Sequence, residues 1–311
     1  MNMLTQQTID SLRTLRLPAM AQAYAEQMAD PKAADLSFDE RLGMIVDREI
    51  MSRENKRLTR LIREAKLRLN ACIEDIDYSH ARGLDRSVIA GLRSCRWVEE
   101  RLNAVITGPT GVGKSFIACA LGNLACRSGY STRYYRLSRL LSELNMAKAD
   151  GTYVRSLQRL SKIQVLIIDD FGLADMTIQD SRDLLEILDD RVATRSTIVA
   201  SQIPLEHWHE ALADPTVADA ILDRVIHSAH RIKLSGESMR KVLAATQHEE
   251  LNNACFSLTR RRGLPRSSLP MAPFTFHCWE CYIGDVLRRF APTPGCITSV
   301  RMAERVSLPA E

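Results

Sequence analysis

The segment GPTGVGKS, residues Gly108–Ser115, restricts the possible folds of this chain more than any other feature. It matches the pattern G-x-x-x-x-G-K-[ST] at every fixed position, with an apolar strand candidate before it and an apolar helix candidate after it. Glycines let such a loop curl until its N–H groups point at phosphate oxygens, and the following helix adds a positive dipole. The segment therefore predicts a nucleoside triphosphate site where a strand meets a helix.

The residues of this loop have separate predicted roles. Lys114 is expected to reach the β- and γ-phosphates of ATP, and the Ser115 hydroxyl is expected to coordinate Mg²⁺. ATP and Mg²⁺ are accordingly the predicted cofactors. The predicted nucleotide-binding set at this end of the chain is Gly108, Pro109, Thr110, Gly111, Val112, Gly113, Lys114, Ser115 and Phe116.

A second motif follows where the apolar run Val165–Ile168 ends in two acids, Asp169 and Asp170. Paired carboxylates at the tip of a buried strand are costly unless a cation lies near them. Asp169 is predicted to hold Mg²⁺ directly or through water, and Asp170 to polarise the attacking water as a general base. Together with Lys114, these acids predict hydrolysis of ATP.

Residues 101–241 alternate strand candidates with helix candidates, which indicates an α/β fold with a parallel sheet flanked by helices. Strands are expected at 104–107, 132–135, 165–168, 197–200 and 231–234, and helices at 116–126, 138–146 and 181–193. The first hundred residues instead look almost purely helical. There Thr8 or Asp10 is expected to cap a first helix, Pro18 to interrupt or restart it, and Ser37 with Glu40 to form a capping box.

Composition narrows the class of protein. Hydrophobic residues make up 45% and charged residues 26% of the chain, with a net charge of +4, which is typical of a globular protein. The sequence shows neither an apolar run long enough for a membrane span nor a signal peptide, so a cytoplasmic location is expected. In a reducing compartment the eight cysteines are not expected to form disulfides. The pair Cys278 and Cys281 supplies too few ligands for a structural zinc site.

A basic stripe marks the helical region. The segment from Arg48 to Arg68 contains eight basic residues and three acidic ones. Several of the basic residues are three or four positions apart, which places them on one face of a helix. Such a stripe can neutralise duplex phosphates without reading sequence, although a solvated charged helix explains it equally well. The DNA-binding candidates are Arg53, Lys56, Arg57, Arg60 and Arg63.

These motifs combine into a family resemblance. The chain resembles the IstB-like helper ATPases of bacterial insertion sequences, which are AAA+ proteins of the DnaC-like helicase-loader clade. Besides the loop at Gly108 and the acids after Ile168, the resemblance is carried by LRTLRLPAM (Leu12–Met20), LSFDERL (Leu36–Leu42), STIVASQIPLEHW (Ser196–Trp208) and ILDRVIHSAHRIKLSGESMRK (Ile221–Lys241).

The resemblance implies further roles. Ser201 or Gln202 would sense the γ-phosphate, and Arg240 would contact phosphate as a second sensor in the same subunit. Arg224 would enter the ATP site of a neighbouring subunit as an arginine finger, with Arg191 and Arg195 as competing candidates. The implied partners are a homo-oligomer, duplex DNA and the transposase encoded by the same element.

We therefore expect three regions: a helical DNA- or partner-binding domain at 1–85, an AAA+ P-loop ATPase domain at 86–241, and an atypical tail at 242–311 that is disordered or loosely packed. Two alternatives stay open at this stage. A DnaC-like replicative helicase loader would share the core, and a DNA-binding relic would have lost hydrolysis. A small-molecule kinase is disfavoured because we find no lid-like arginine cluster for a second phosphorylated substrate.

Overall fold

The computed structural model describes residues 3–80, 82–227, 229–239 and 241. Three helices form the beginning of the chain, namely α1 (Met3–Thr14), α2 (Pro18–Ala29) and α3 (Phe38–Ala65), with a short 3₁₀ turn at Pro31–Asp35. Pro18 starts α2, and Ser37 with Glu40 forms the predicted capping box of α3. The prediction that Thr8 or Asp10 caps the first helix is wrong, because both lie inside α1.

Glu49 of α3 supplies the cap that α2 lacks in its own sequence. Leu17, the residue before α2, makes no side-chain capping bond within the described part of the chain. Instead, Oε2 of Glu49 accepts hydrogen bonds from the backbone N–H groups of Ala19 at 2.9 Å and Met20 at 3.1 Å. A carboxylate at a helix N-terminus satisfies free donors and complements the helix dipole. This contact ties α2 to the middle of α3.

Two short helices, α4 (Arg86–Arg93) and α5 (Arg96–Glu99), connect this region to the sheet. Asp85 caps α4 by accepting a bond from the Ser87 N–H group. Trp97 of α5 is buried in the main core. The bounds of these two helices were not predicted, because each helix is short and its burial depends on packing against the sheet domain.

Five parallel strands form one sheet in the order β2-β3-β4-β1-β5. Their bounds are β1 Asn103–Thr107, β2 Thr132–Arg136, β3 Val165–Phe171, β4 Ser196–Ser201 and β5 Ala229–Lys233. All five strands predicted from the sequence are confirmed. Because the strands are parallel, the carboxyl ends of β1, β3 and β4 meet at one edge, where open α/β sheets bind their ligands.

Helices cover both faces of the sheet: α6 (Lys114–Arg127), α7 (Leu137–Ala149), α8 (Tyr153–Lys162), α9 (Ile178–Arg191) and α10 (Pro215–Ile226). Helices α8 and α10 were not predicted. Helix α7 begins at Leu137, one residue before the predicted start at Ser138, and α9 begins at Ile178 behind a capping box formed by Thr177 and Asp180.

Successive residues of each strand point to opposite faces of the sheet and pack into two separate apolar cores. Ile106 and Ile167 belong to a core shared with α6 and with the residues of α4 and α5, whereas Val105 and Leu166 belong to a core shared with α7, α9 and α10. The sheet is therefore covered on both faces, as its continuous apolar strands require. This is the predicted α/β fold, a parallel sheet flanked by helices behind a helical N-terminal region. Within the described residues, no helix is long and apolar enough to span a bilayer.

Helix α3 also packs against the α/β part of the chain. Leu61 and Ala65, near its end, form a small buried cluster with Cys126 of α6. The domain boundaries at residues 85 and 241 stay predictions. The tail 242–311, with Cys278 and Cys281, lies outside the described residues.

Candidate nucleotide site

Backbone conformation in the loop 108–113 depends on its glycines. Gly108, Gly111 and Gly113 have φ angles of 150°, 88° and 101°, values that side chains rarely allow. A Cβ atom on Gly111 would overlap the Ser238 side chain, and one on Gly108 would overlap the Leu234 carbonyl. The loop therefore turns sharply against the segment after β5 and delivers the chain into α6, whose first residue is Lys114.

Lys114 is directed into the turn of this loop. Its Nζ donates a hydrogen bond of 2.7 Å to the carbonyl oxygen of Pro109. Burial lowers the pKa of Lys114, and the nearby carboxylates of Asp169 and Asp170 partly offset this effect. A partly desolvated ammonium held at the mouth of a loop of N–H groups is suited to phosphate oxygens, which would replace the Pro109 carbonyl as its acceptor.

The end of β3 is bulged at the two acids. The pairing of β3 with β4 shifts register between Ile168 and Phe171, and Asp170 has a φ of 59°, in the left-handed region. Bulges of this kind re-aim a side chain near functional sites. Asp170 consequently lines the pocket, whereas Asp169 is 1% exposed and lies behind it.

Two hydrogen bonds hold the Asp169 carboxylate. The Tyr134 hydroxyl of β2 donates to its Oδ2 at 2.7 Å, and the N–H group of Asp170 donates to its Oδ1 at 2.9 Å. Burial, together with the bond to Asp169, raises the pKa of Tyr134 far above its ordinary value, so the phenol stays a neutral donor. Tyr134 therefore fixes the orientation of the carboxylate predicted to serve Mg²⁺.

Two arginines stand beside the acid pair. Nη1 of Arg68 lies 3.9 Å from carboxylate oxygens of both Asp169 and Asp170, and Nε of Arg136 lies 3.6 Å from Oδ2 of Asp170. The sequence placed Arg68 in the basic stripe and gave no role to Arg136. Arg136 could have been found, because it ends β2 at the same edge as the acids. Arg68 could not, because it reaches the site only through the packing of α3.

The pocket between these groups has a volume of about 600 Å³, within the usual range for small-molecule sites. Of the predicted nucleotide-binding residues, its walls include Thr110, Gly111, Gly113, Lys114, Ser115, Phe116 and Gln202. Val112 is not one of the lining residues, and its side chain is fully buried in the core. Arg82, not predicted, is buried beneath the loop and donates to the Val112 carbonyl oxygen at 3.3 Å.

The structure separates the two sensor candidates at the end of β4. The Ser201 hydroxyl is fully buried, donates to the Phe171 carbonyl oxygen at 2.8 Å and accepts a bond from the Ile203 N–H group. Gln202 instead faces the loop, where its Oε1 accepts a 2.5 Å hydrogen bond from the Thr110 hydroxyl. Only Gln202 is placed to reach a bound phosphate, so we keep it alone as the sensor candidate. Arg240 lies outside the described residues.

Comparison with known proteins identifies the family. Residues 10–246 match the family described as IstB-like ATP binding protein. The chain belongs to this family. It is 47% identical over 239 residues to a putative insertion sequence ATP-binding protein of Sinorhizobium fredii, covering 77% of this chain and 98% of that protein. It is also 51% identical over 203 residues to the IS1162 putative ATP-binding protein of Pseudomonas fluorescens, covering 65% and 88%.

Solved structures similar to this IstB-like protein include DnaI, at 22% identity and a TM-score of 0.47, with 53% of this chain and 91% of that chain covered. The DnaC helicase loader is similar at 16% identity and a TM-score of 0.46, with 55% and 99% covered. These likenesses concern the fold alone.

The arginine-finger candidates of the IstB-like chain occupy different environments. Arg191 is 1% exposed and donates to the carbonyl oxygens of Leu160, Ile163 and Ser196, so the proposal that it enters a neighbouring subunit is wrong. Arg224 lies on α10, pairs with Asp189 and does not line the pocket of its own chain. Arg224 therefore stays the preferred candidate, and its use would require the pair with Asp189 to open.

The predicted DNA-binding stripe of the IstB-like chain divides into two sets. Arg53 pairs with Glu49 at 2.9 Å and Arg57 donates to the Gly129 carbonyl oxygen at 3.0 Å, so both are held by the protein itself. The other members, together with Arg48, line a groove of about 660 Å³ beside α2, which we call the α3 groove. The basic residues of the α3 groove are Arg48, Lys56, Arg60 and Arg63.

Proposed function

We propose that this chain is an ATP-hydrolysing transposition helper that assembles on duplex DNA and assists the transposase of the same insertion sequence. The observation that carries the proposal is that the Asp170 carboxylate lines the nucleotide pocket. A bulge at the end of β3 turns this carboxylate into the pocket that also contains Lys114 and Ser115. A merely structural acid would not need a strained backbone to face a phosphate-binding loop.

The residues present fit Mg²⁺, which favours oxygen ligands and takes few of them from the protein. Ser115 would hold the ion directly, and Asp169, which lies behind the pocket, would hold it through water. The ion would neutralise charge on the β- and γ-phosphates. Lys114 would bind the same oxygens, and Gln202 would contact the γ-phosphate. Asp170 would accept a proton from water as the water oxygen bonds to the γ-phosphorus and the bond to the β–γ bridging oxygen breaks.

DNA binding is proposed for the α3 groove. Lys56, Arg60 and Arg63 line it, while Arg53 and Arg57 are engaged within the protein and are weaker candidates. Polar groove residues such as Gln22 and Asn55 add donors without adding negative charge. A basic groove of this kind binds the backbone of duplex DNA irrespective of sequence.

The position of Arg224 is the basis for proposing that the protein assembles into a homo-oligomer. Arg224 lies away from the nucleotide pocket of its own chain, so an arginine finger at this position would act on a neighbouring copy. The partner transposase follows from the relatives, whose names attach them to insertion sequences.

The first test measures ATP hydrolysis with and without long duplex DNA in the wild type and in Asp170→Asn. Asparagine tolerates the left-handed backbone and keeps the shape of the side chain but is no base. We expect hydrolysis to fall by about 10²-fold or more, while binding of a fluorescent ATP analogue persists. An Asp170→Asn variant that hydrolyses ATP at the wild-type rate would remove Asp170 from the mechanism.

The second test addresses DNA. Replacing Lys56, Arg60 and Arg63 with Gln should weaken duplex binding for all sequences and reduce the slope of log affinity against log salt by about one per lost phosphate contact. The matched control replaces three exposed basic residues of α8 with Gln: Arg155, Arg159 and Lys162. Equal effects of the two triple variants would show that net charge, and not the α3 groove, governs binding.

A further inference from the structure

A second basic groove lies beside the edge strand β2. It has a volume of about 610 Å³ and also contains Ser138 and Ser142. Five basic side chains and a single acid line it, which makes it a positively charged surface. We call it the β2 groove, and its charged residues are Lys66, Arg68, Arg133, Arg136, Arg139 and Glu143.

The start of α7 adds to this potential. Arg136 is the N-cap residue of α7, and its side chain makes no capping hydrogen bond to the described residues. The first turn of α7 contains no acidic residue. The first N–H groups of this 13-residue helix are therefore uncompensated, and Ser138 and Arg139 of the same turn line the groove. A helix N-terminus next to clustered arginines is suited to a phosphate group.

One wall of the β2 groove is preformed. The guanidinium of Arg133 donates to the Glu64 carbonyl oxygen at 2.8 Å and lies 5.2 Å from the ring centre of Tyr135. Lys66 directly follows α3, whose last turn carries Arg63 of the α3 groove. Arg63 of the α3 groove and Lys66 of the β2 groove are thus only three positions apart in the sequence.

The other wall belongs to the nucleotide pocket as well. Arg68 and Arg136 line both cavities, and both approach Oδ2 of Asp170, at 3.9 Å and 3.6 Å. The side chain of Arg136 is 47% exposed, so it can turn toward either cavity at small cost. While it pairs with Asp170, it occupies the carboxylate that has to accept a proton from water.

We propose that the β2 groove binds a backbone phosphate of duplex DNA and that this phosphate draws Arg136 away from Asp170, so that DNA switches on hydrolysis. The proposal rests on the proposed function, because it assumes that Asp170 is the base and that DNA is a partner. A phosphate and the Asp170 carboxylate compete for one guanidinium, and the phosphate has the additional donors of Arg139 and of the α7 N-terminus.

The decisive variant is Arg136→Gln, assayed in the full chain for hydrolysis with and without duplex DNA. Without DNA, hydrolysis should rise about two- to fivefold, which is what a partly exposed ion pair contributes. The ratio of the rates with and without DNA should fall toward one, while affinity for a fluorescent ATP analogue persists. A fall in ATP affinity together with slower hydrolysis would overturn the proposal by making Arg136 a nucleotide-binding residue.

Arg139→Gln tests the groove separately, because Arg139 does not line the nucleotide pocket. It should lower the DNA stimulation ratio and the salt slope of duplex binding, whereas the control Arg159→Gln on α8 should change neither. Stimulation that survives in Arg139→Gln while the α3 groove variant loses DNA binding would sink this proposal and leave the proposed function standing. A wild type that neither binds duplex nor hydrolyses ATP would sink both.

Discussion

The hydroxyl group of Tyr134 donates a 2.7 Å hydrogen bond to the buried carboxylate of Asp169, across the pairing of β2 with β3. The neighbouring Tyr135 is also buried, but its ring lies beneath Arg133 and its hydroxyl has no hydrogen-bond partner among the described residues. Tyr134 therefore orients a carboxylate of the nucleotide site, whereas the adjacent Tyr135 contributes to packing.

Tyr134→Phe should lower the free energy of unfolding by about 1–3 kcal/mol, because it leaves a buried carboxylate oxygen without its donor. Urea denaturation without nucleotide measures the loss. Tyr135→Phe is the matched control and should change the stability by less than about 0.5 kcal/mol. Equal losses in the two variants would mean that the bond to Asp169 contributes nothing specific.

The contacts of Glu49 predict that the stability of the helical region falls at acidic pH. Its bond to Arg53 and the N–H groups of Met20 and Ala19 lower the pKa of Glu49 below its ordinary value of 4.5, against the opposing effect of burial. Because the pKa is lower in the folded state, the stabilisation is complete above 4.5 and is lost as the pH falls through the folded-state value.

Thermal unfolding of the wild type and Glu49→Gln, followed by circular dichroism from pH 7 to pH 3, checks this prediction. The Tm of the variant should be lower at neutral pH, and the difference should shrink as the solution becomes acidic. Glu54→Gln, an exposed change on the same helix, serves as the control. A difference in Tm that stays constant over this range would contradict the assignment.

Arg191 is predicted to stabilise the fold by tying α8 and β4 to α9. Burial lowers its pKa to about 9, so the guanidinium remains charged at neutral pH and satisfies three carbonyl oxygens. Arg191→Met should cost at least about 2–3 kcal/mol, because those buried acceptors lose their donor. Arg195→Met should have little effect or a small stabilising one, since the charge of Arg195 opposes that of Arg191. The two variants are compared by urea denaturation, and a stable Arg191→Met protein would refute this role.

Gly111→Ala should weaken ATP binding by about tenfold or more, since a left-handed residue in the loop would be strained by about 1–3 kcal/mol and would collide with Ser238. The control is Gly91→Ala on α4, where a Cβ atom would meet open space. That change should leave ATP binding intact and stabilise the helix by about 0.5–1 kcal/mol. Titration with a fluorescent ATP analogue compares them, and wild-type affinity in Gly111→Ala would refute the predicted loop conformation.

The sequence by itself determined the strands, the phosphate-binding loop and the family. Strand residues such as Val165–Ile168 form continuous apolar runs, and the loop 108–115 is fixed by local backbone requirements at its glycines. Both are properties of neighbouring residues, so they can be read along the chain. The capping box of Ser37 and Glu40 was predictable for the same reason.

Only the tertiary structure decided which polar groups meet. Arg68 reaches Asp170 because α3 packs on α6. Gln202 rather than Ser201 faces the loop because the Ser201 hydroxyl is buried against the Phe171 carbonyl oxygen of the neighbouring strand. The basic stripe divides, with Arg57 bound to Gly129 and Arg60 left in a groove, according to the rotation of one helix against its neighbours. Charge and spacing along the chain leave such choices open, because they depend on packing between residues that are distant in sequence.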